Sequence, residues 1–169
     1  GVNGNTAADF VPAWRHMVDV ARAEGATNVR WVWCPNVAAS SRFTPFSQVY
    51  PGDGYVDWVC LDGYNWGTSG NNSAWRSFAT TFGDSINALS SLTDKPMMIG
   101  ETGSSELGGD KATWIATAYA RLLSDFGQVR AVTWFDANKE TDWRVDSSSS
   151  SLAAYRSVAA SDSFSSTLP

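Results

Sequence analysis

The sequence has few of the residues that usually bind metal ions. Only two of its 169 residues are cysteine and one is histidine, His16. Two cysteines are too few for a disulfide scaffold, and their spacing with a single histidine forms no zinc motif. We therefore expect no metal site and no cofactor. For Cys34 and Cys60 themselves, we favour two buried free thiols, with a single disulfide as the alternative.

Basic residues and long apolar runs are also scarce. Twelve Lys and Arg stand against seventeen Asp and Glu, which gives a net charge of -5. Because nucleic acids and anionic membrane surfaces are bound through basic patches, we expect neither as a partner. No run of eighteen apolar residues is present, so we expect no membrane-spanning helix. The chain begins with Gly1 and carries no signal peptide, so we expect a processed product or a piece of a longer protein.

Aromatic residues are abundant, at 13% of the chain with nine tryptophans. Hydrophobic spacing predicts helices that alternate with short apolar strands. Thr6 and Asp9 indicate a capping box at the start of the first helix. Predicted helices cover 9–25, 73–92, 110–122 and about 147–158; predicted strands cover 29–33, 56–61, 96–99 and 129–135. A long loop with one helical turn is expected at 37–54. This order is typical of an α/β fold with parallel strands.

Polar and aromatic side chains follow the predicted strands. Reactive groups of parallel α/β proteins stand at the carboxyl ends of strands. Those positions hold Asn36, the segment 62–66, Glu101 and the segment 134–136. Aromatic faces pack on sugar rings, and carboxylates and amides bind sugar hydroxyls, so the pattern favours a sugar site. A phosphate ligand would need a glycine-rich loop and a basic residue at these strand ends, and neither stands there, so the pattern does not favour a phosphate site.

The individual residues have structural interpretations as well. A carboxylate is costly to bury without a partner, so we favour a functional role for Glu101 over an ion pair. Asp62 is equally consistent with a loop cap. Tyr64 and Trp134 are also consistent with core aromatics, the commoner place for such residues.

Six segments of the chain resemble glycoside hydrolase family 26. They are WVWCPN at 31–36, YPGD at 50–53, DWVCLDGYNWG at 57–67, GETG at 100–103, WFD at 134–136 and KETDWR at 139–144. The resemblance implies a (β/α)₈ TIM barrel of which this chain covers about strands 5–8, a half-barrel. Residues 1–159 would form the carboxyl-terminal half of the catalytic barrel, followed by a Ser-rich tail or linker at 160–169.

The resemblance also implies roles for single residues. Glu101 matches the family's nucleophile, and Tyr64 matches a tyrosine that positions it. The residues implied as substrate-binding are Asp62, Trp66, Trp134 and Asn36. The family's acid/base glutamate, in a His-Glu-Met-Asn type motif, has no counterpart here and is expected upstream of Gly1. The missing amino half of the barrel is then the expected partner, and this chain alone is expected to be inactive or nearly so. Cys34 and Cys60 would stand near the ends of adjacent strands, where a bridge is conceivable.

The implied activity is that of a retaining endo-glycosidase on a β-1,4-mannan-type polysaccharide, within a secreted bacterial protein. Other substrates within the family are β-glucan and β-1,3-xylan. A hypothesis of another class is a non-catalytic carbohydrate-binding domain, which would not need Glu101. A third is a complete small flavodoxin-like enzyme, and the lack of a phosphate-binding loop weighs against it.

Overall fold

A computed structural model describes residues 4, 6–38 and 43–164 of the chain. The helices are α1 (Ala7–Ala23), α2 (Phe46–Val49), α3 (Phe78–Ser90), α4 (Lys111–Ser124) and α5 (Ser149–Ala159). The strands are β1 (Val32–Trp33), β2 (Trp58–Asn65), β3 (Met97–Ser104) and β4 (Val129–Trp134). A 3₁₀ turn covers Asp53–Tyr55. The predicted alternation of helices and strands is confirmed. Among the described helices, none is both long and apolar enough to cross a membrane.

The four strands form one parallel sheet in the order β1-β2-β3-β4, which is also their order along the chain. A doubly wound sheet reverses its strand order at a switch point, whereas the strands of a (β/α)₈ barrel follow one another in sequence. The observed order is therefore that of a barrel wall. It does not match the flavodoxin-like alternative.

A hydrophobic core fills the space between the sheet and helices α3 and α4. Phe82, Ile86 and Leu89 of α3 are completely buried because they recur at helical spacing on one face. Leu61 and Ile99 meet them from neighbouring strands, where they are register partners. This packing fixes β2 and β3, the two strands that carry the candidate site.

The first helix begins earlier than expected. The predicted capping box is confirmed: the backbone N–H and the hydroxyl of Thr6 both bond to the Asp9 carboxylate, at 2.8 and 2.7 Å. The helix nevertheless starts at Ala7 rather than Asp9. Pro12 consequently lies inside the helix beyond its first turn. A helical residue at such a position normally donates a backbone hydrogen bond, and proline has no N–H to do so.

The predicted start of the third helix is wrong by several residues. Helix α3 begins at Phe78, and the hydroxyl of Ser77 caps it by accepting from the backbone N–H of Thr80 at 3.1 Å. Ser73 instead closes the preceding turn, where its hydroxyl donates to the carbonyl of Gly67 at 2.8 Å. Both serines suit an N-cap, and only the tertiary packing selects between them.

Strands β2 and β3 extend four to five residues further than expected, through Asn65 and Ser104. Their pairing shifts between Leu61 and Asp62, so that Leu61 faces Ile99 but Asp62 faces Glu101. Gly100 is therefore the extra residue of a bulge. As a result, the candidate site residues of both strands stand on paired backbone rather than on loops.

The carboxyl-terminal segment remains attached to the fold at least to Phe164. The ring of Phe164 lies 5.0 Å from that of Tyr119 on α4, edge to face. The predicted tail at 160–169 is thus packed at its beginning, and residues 165–169 lie outside the described residues.

Candidate active site

Tyr64 and Glu101 are brought together by neighbouring strands. The Tyr64 hydroxyl donates a hydrogen bond to Oε2 of Glu101. Glu101 is exposed, whereas Tyr64 is half-buried. The carboxylate is therefore held by one strong donor while it stays open to an approaching molecule.

The phenol of Tyr64 is fixed in its protonated form. Burial raises its pKa far above the ordinary value, and the negative charge of Glu101 and its hydrogen bond raise the pKa further. The hydroxyl consequently acts as a donor at every physiological pH.

Asp62 is the register partner of Glu101 on β2. Burial and, second, the like charge of Glu101 raise the pKa of Asp62 to about 6, although the backbone amide of Glu101 works in the opposite direction. Two neighbouring carboxylates resist carrying both charges. Near neutral pH, Asp62 therefore takes up a proton more readily than an ordinary aspartate.

The two cysteines form a disulfide beside this pair of carboxylates, so the favoured prediction of free thiols is wrong. The cause is the pairing of β1 with β2, which leaves the Cα atoms of Cys34 and Cys60 only 4.2 Å apart. Oδ1 of Asp62 lies 3.1 Å from Sγ of Cys34. Gly100 completes the contact, because a Cβ there would lie 2.2 Å from Sγ of Cys60.

This region also contains the one group of three or more metal-ligating side chains found among the described residues, Cys34, Cys60 and Asp62, whose ligand atoms lie within 4.8 Å of one another. The two sulfur atoms are bonded to each other. Zinc and similar ions bind cysteine as thiolate, so the disulfide form does not offer them a site.

Three aromatic rings surround Tyr64. The rings of Trp143, Phe135 and Trp66 lie 4.9, 5.8 and 6.4 Å from it, centroid to centroid. Trp66 and Trp143 also meet each other edge to face at 4.9 Å. We call Tyr64, Trp66, Phe135 and Trp143 the aromatic cluster. Trp143 is buried, and the partly exposed rings of Tyr64, Trp66 and Phe135 give the site apolar surface beside a carboxylate, which suits a sugar ring.

Trp134 is not part of this cluster, although it was expected to line the cleft. It is 8% exposed, and its indole packs against Trp114 of α4 and Tyr155 of α5 at 6.0 and 5.8 Å. Successive side chains of a strand point to opposite faces, so Trp134 faces the helices and Phe135 faces the site.

Asn36 lies beside the site. Asn36 is exposed, and its backbone pairs with that of Asp62 beyond the end of β1.

Trp143 is the residue of the site to which sequence reasoning assigned no role, although it belongs to the quoted segment 139–144. A tryptophan surrounded by charged residues is the signal that would have singled it out, because such a residue needs an apolar partner elsewhere in the fold.

The sequence model that represents glycosyl hydrolase family 26 matches residues 3–150 of this chain. This chain belongs to glycosyl hydrolase family 26. Endoglucanase H of Acetivibrio thermocellus is 47% identical over 153 residues, which are 90% of this chain and 17% of that protein. The resemblance inferred from the six segments is thereby confirmed.

Solved structures with the same fold include two mannanases. A double mutant of an endo-β-1,4-mannanase from Cellulomonas fimi superposes with a TM-score of 0.70 and 21% identity, covering 97% of this chain and 37% of its own. The catalytic domain of a family 26 endo-β-1,4-mannanase from Bacillus sp. JAMB-750 gives 0.69 and 21%, with 96% and 46% covered. This chain spans less than half the length of each.

These coverages and the strand order together show how much of the family 26 fold the chain contains. Its four parallel strands, each followed by a helix or loop connection, make up half of a (β/α)₈ barrel. Tyr64 and Glu101 lie in the carboxyl-terminal halves of its two central strands, β2 and β3, toward the carboxyl-terminal face of the barrel. Barrel enzymes place their active sites at that face.

Proposed function

We propose that the protein containing this chain hydrolyses a β-linked polysaccharide with retention of configuration, and that Glu101 is its nucleophile. The observation that carries the proposal is the hydrogen bond from Tyr64 to Glu101, which joins the carboxyl-terminal halves of β2 and β3. It leaves an exposed carboxylate oriented by a permanent donor, with the aromatic cluster beside it. Membership of glycosyl hydrolase family 26 supports the reaction class.

The proposed reaction has two steps. In the first, a Glu101 oxygen attacks the anomeric carbon, the glycosidic C–O bond breaks, and an acid protonates the departing oxygen. In the second, the group that acted as the acid takes a proton from water, the water oxygen attacks the anomeric carbon, and the bond between that carbon and Glu101 breaks. This releases the sugar and restores the Glu101 carboxylate. Both steps need a second carboxyl group about 5–5.5 Å from the first.

We propose that this second group is a glutamate contributed by the amino half of the barrel, outside this chain. The proposal is supported by the share of the mannanase structures that this chain covers, 37% and 46%. General acid catalysis contributes about 10²–10⁴-fold in rate. This chain alone is then expected to be nearly inactive on a natural polysaccharide, whose leaving group needs a proton.

The first substrate we propose is a β-1,4-mannan-type polysaccharide, as the family resemblance implies. A second candidate, β-glucan, is favoured by one observation, the 47% identity to a protein named an endoglucanase. The two sugars differ at C2, the carbon next to the one that Glu101 would attack. Hydrogen bonds to the 2-hydroxyl strengthen in the transition state, so the site is expected to discriminate in kcat as well as in KM.

The proposal is tested with the whole protein on mannan and on β-glucan, with the first-formed anomer read by proton NMR. Retention and a loss of activity in Glu101→Ala are expected. Exposed Glu24, which follows α1, is the matched control, and Glu24→Ala should keep full activity. Inversion, or full activity in Glu101→Ala, contradicts the proposal. Polysaccharide binding without any hydrolysis supports the carbohydrate-binding alternative.

We further propose that the protein is extracellular. The disulfide between Cys34 and Cys60 supports this location, because such bonds persist mainly in oxidising compartments. Labelling of free thiols in the freshly isolated protein tests it. Two labelled cysteines would contradict it.

A further inference from the structure

Lys111 is completely buried at the first position of α4, which is unusual for a lysine. Its ammonium group uses all three of its donors. It bonds to the backbone carbonyls of Asp142 and Arg144 at 3.2 and 2.7 Å, and to the Ser147 hydroxyl at 2.8 Å. Burial lowers its pKa, and the charge of Glu106 acts against that shift. The site is thus built to hold a buried cation against one stretch of backbone.

Glu106 completes this arrangement from the other side. Its Oε1 accepts hydrogen bonds from the hydroxyls of Ser147 and Ser151, at 2.7 and 2.8 Å. Burial tends to raise the pKa of Glu106, but these hydroxyls outweigh it and the pKa is lowered. Glu106 therefore stays ionised and balances the charge of Lys111 inside the fold.

The carbonyl between the two that Lys111 holds is bound as well. The indole N–H of Trp134 donates to the carbonyl of Trp143 at 2.7 Å. Three successive carbonyls, those of residues 142–144, are thus bound by two side chains from α4 and β4. We call this arrangement the carbonyl clamp. It fixes the backbone of the connection between β4 and α5 at the position of Trp143.

The side chain of Trp143 points from the clamp into the site. It is 1% exposed, and its ring lies 4.9 Å from both Tyr64 and Trp66. It also covers Gly103, where a Cβ would lie 3.2 Å from the indole. The clamp holds the backbone of residues 142–144, and the Trp143 ring packs against the Tyr64 ring. The position of the Tyr64 hydroxyl therefore depends on that backbone.

We propose that Lys111 is a positioning residue for the hydrolytic reaction, acting through the carbonyl clamp and Trp143 on Tyr64 and thereby on Glu101. This inference rests on the proposed function. Lys111 itself touches neither the sugar nor the nucleophile. Its role is to keep Trp143 pressed against the phenol, so that the hydroxyl meets the carboxylate in one geometry.

The test compares Lys111→Met, Tyr64→Phe and the double variant in the whole protein, on whichever of mannan and β-glucan the wild type hydrolyses. Methionine keeps the apolar stem and removes the ammonium. We expect Lys111→Met to lower kcat by about tenfold with KM changed less than twofold, because a small misplacement of a reacting group is costly. In the Tyr64→Phe background the same substitution should have little further effect, since coupled residues are not additive.

Two further variants keep the test decisive. Lys139→Met is the matched control, because Lys139 lies on the same connection, is exposed and pairs with the Glu140 carboxylate rather than with the clamp carbonyls; it should leave kcat unchanged. If Lys111→Met does not fold, Trp134→Phe removes the other half of the clamp and should give the same coupling. Folded variants with unchanged kcat, or with effects that multiply independently, overturn the inference. Wild-type activity that survives Glu101→Ala instead overturns the proposed function.

Discussion

Tyr64 on β2 and Glu101 on β3 are joined across two adjacent strands, with the phenol as donor and the carboxylate as acceptor. Both strands are paired on either side within the four-stranded sheet. The contact is therefore supported by the backbone of two strands inside the sheet and by the core beneath it, not by a flexible loop. This rigidity is what an attacking group needs, because its direction determines how often a bound sugar is in position to react.

Removing the Tyr64 hydroxyl tests the importance of this contact. In Tyr64→Phe, kcat should fall about 10–100-fold, which corresponds to the loss of one hydrogen bond to a charged group. KM should change little, because the ring remains in the aromatic cluster. Steady-state kinetics measure both. Tyr55→Phe is the matched control, since that ring lies under Arg15 and Arg22 near α1, away from the site. Equal effects of the two substitutions would contradict the prediction.

Asp62 makes stability depend on pH in a direction opposite to that of most carboxylates. Its pKa is raised from 3.8 to about 6 in the folded protein, so the folded state holds the proton more tightly than the unfolded state. Its contribution to stability is therefore present at low pH and is lost as pH rises through about 6. Between pH 4 and pH 7.5, the free energy of unfolding of Asp62→Asn should therefore rise by about 1 kcal/mol relative to that of the wild type. This value is reduced for solvent screening, because Asp62 is only partly buried.

The measurement for Asp62 is denaturant unfolding of both proteins at the two pH values. A difference in free energy of unfolding that does not change with pH would contradict the assigned shift. A variant that becomes relatively less stable at high pH would reverse its sign.

The disulfide should contribute measurably to stability. Its two cysteines are 26 residues apart, and closing a loop of that length is worth about 3.5 kcal/mol in the unfolded-chain entropy account. A reducing agent should lower the free energy of unfolding of the wild type by about that amount. It should have no effect on the double variant with Cys34→Ser and Cys60→Ser. A wild type that is insensitive to reduction would show that the bridge is absent or without consequence.

Gly100 should not tolerate a side chain. A Cβ at this position would lie 2.2 Å from Sγ of Cys60 and 2.8 Å from Sγ of Cys34. Gly100→Ala should therefore lower the free energy of unfolding by about 1–3 kcal/mol. Gly127→Ala is the matched control, because nothing lies within 4 Å of a Cβ there. Thermal unfolding compares the two. Similar melting temperatures for both variants would contradict the tight packing of β3 against the disulfide.

The sequence predicted the elements that depend on local pattern. Phe82, Ile86 and Leu89 recur at helical spacing, and each is buried as that spacing requires. A helix was predicted to begin at residue 110, and Asp110 caps helix α4, because its carboxylate accepts from the backbone N–H of Thr113 at 3.0 Å. Glu101 and Tyr64 were identified through the family resemblance, and the fold brings them into contact.

The features that the sequence missed depend on partners distant in the chain. The predicted strand at 96–99 stops just before Gly100, whereas Gly100 makes room for the disulfide within a longer strand. Trp134 and Phe135 are adjacent aromatics, and nothing local indicates which of them faces the site. Lys111 stands in a first helical turn, where a lysine is usually solvated. Its burial follows from carbonyls more than thirty residues away.

The central claim is that Glu101 becomes covalently bonded to the sugar. The most direct measurement is intact mass spectrometry of the whole protein, quenched during reaction with dinitrophenyl β-mannobioside and, separately, dinitrophenyl β-cellobioside. Such leaving groups need little acid assistance, so the first step is fast and the intermediate accumulates. An adduct of one disaccharide unit that maps to Glu101 and disappears in Glu101→Ala is the predicted result. An adduct on another residue, or one that persists in Glu101→Ala, would contradict the account.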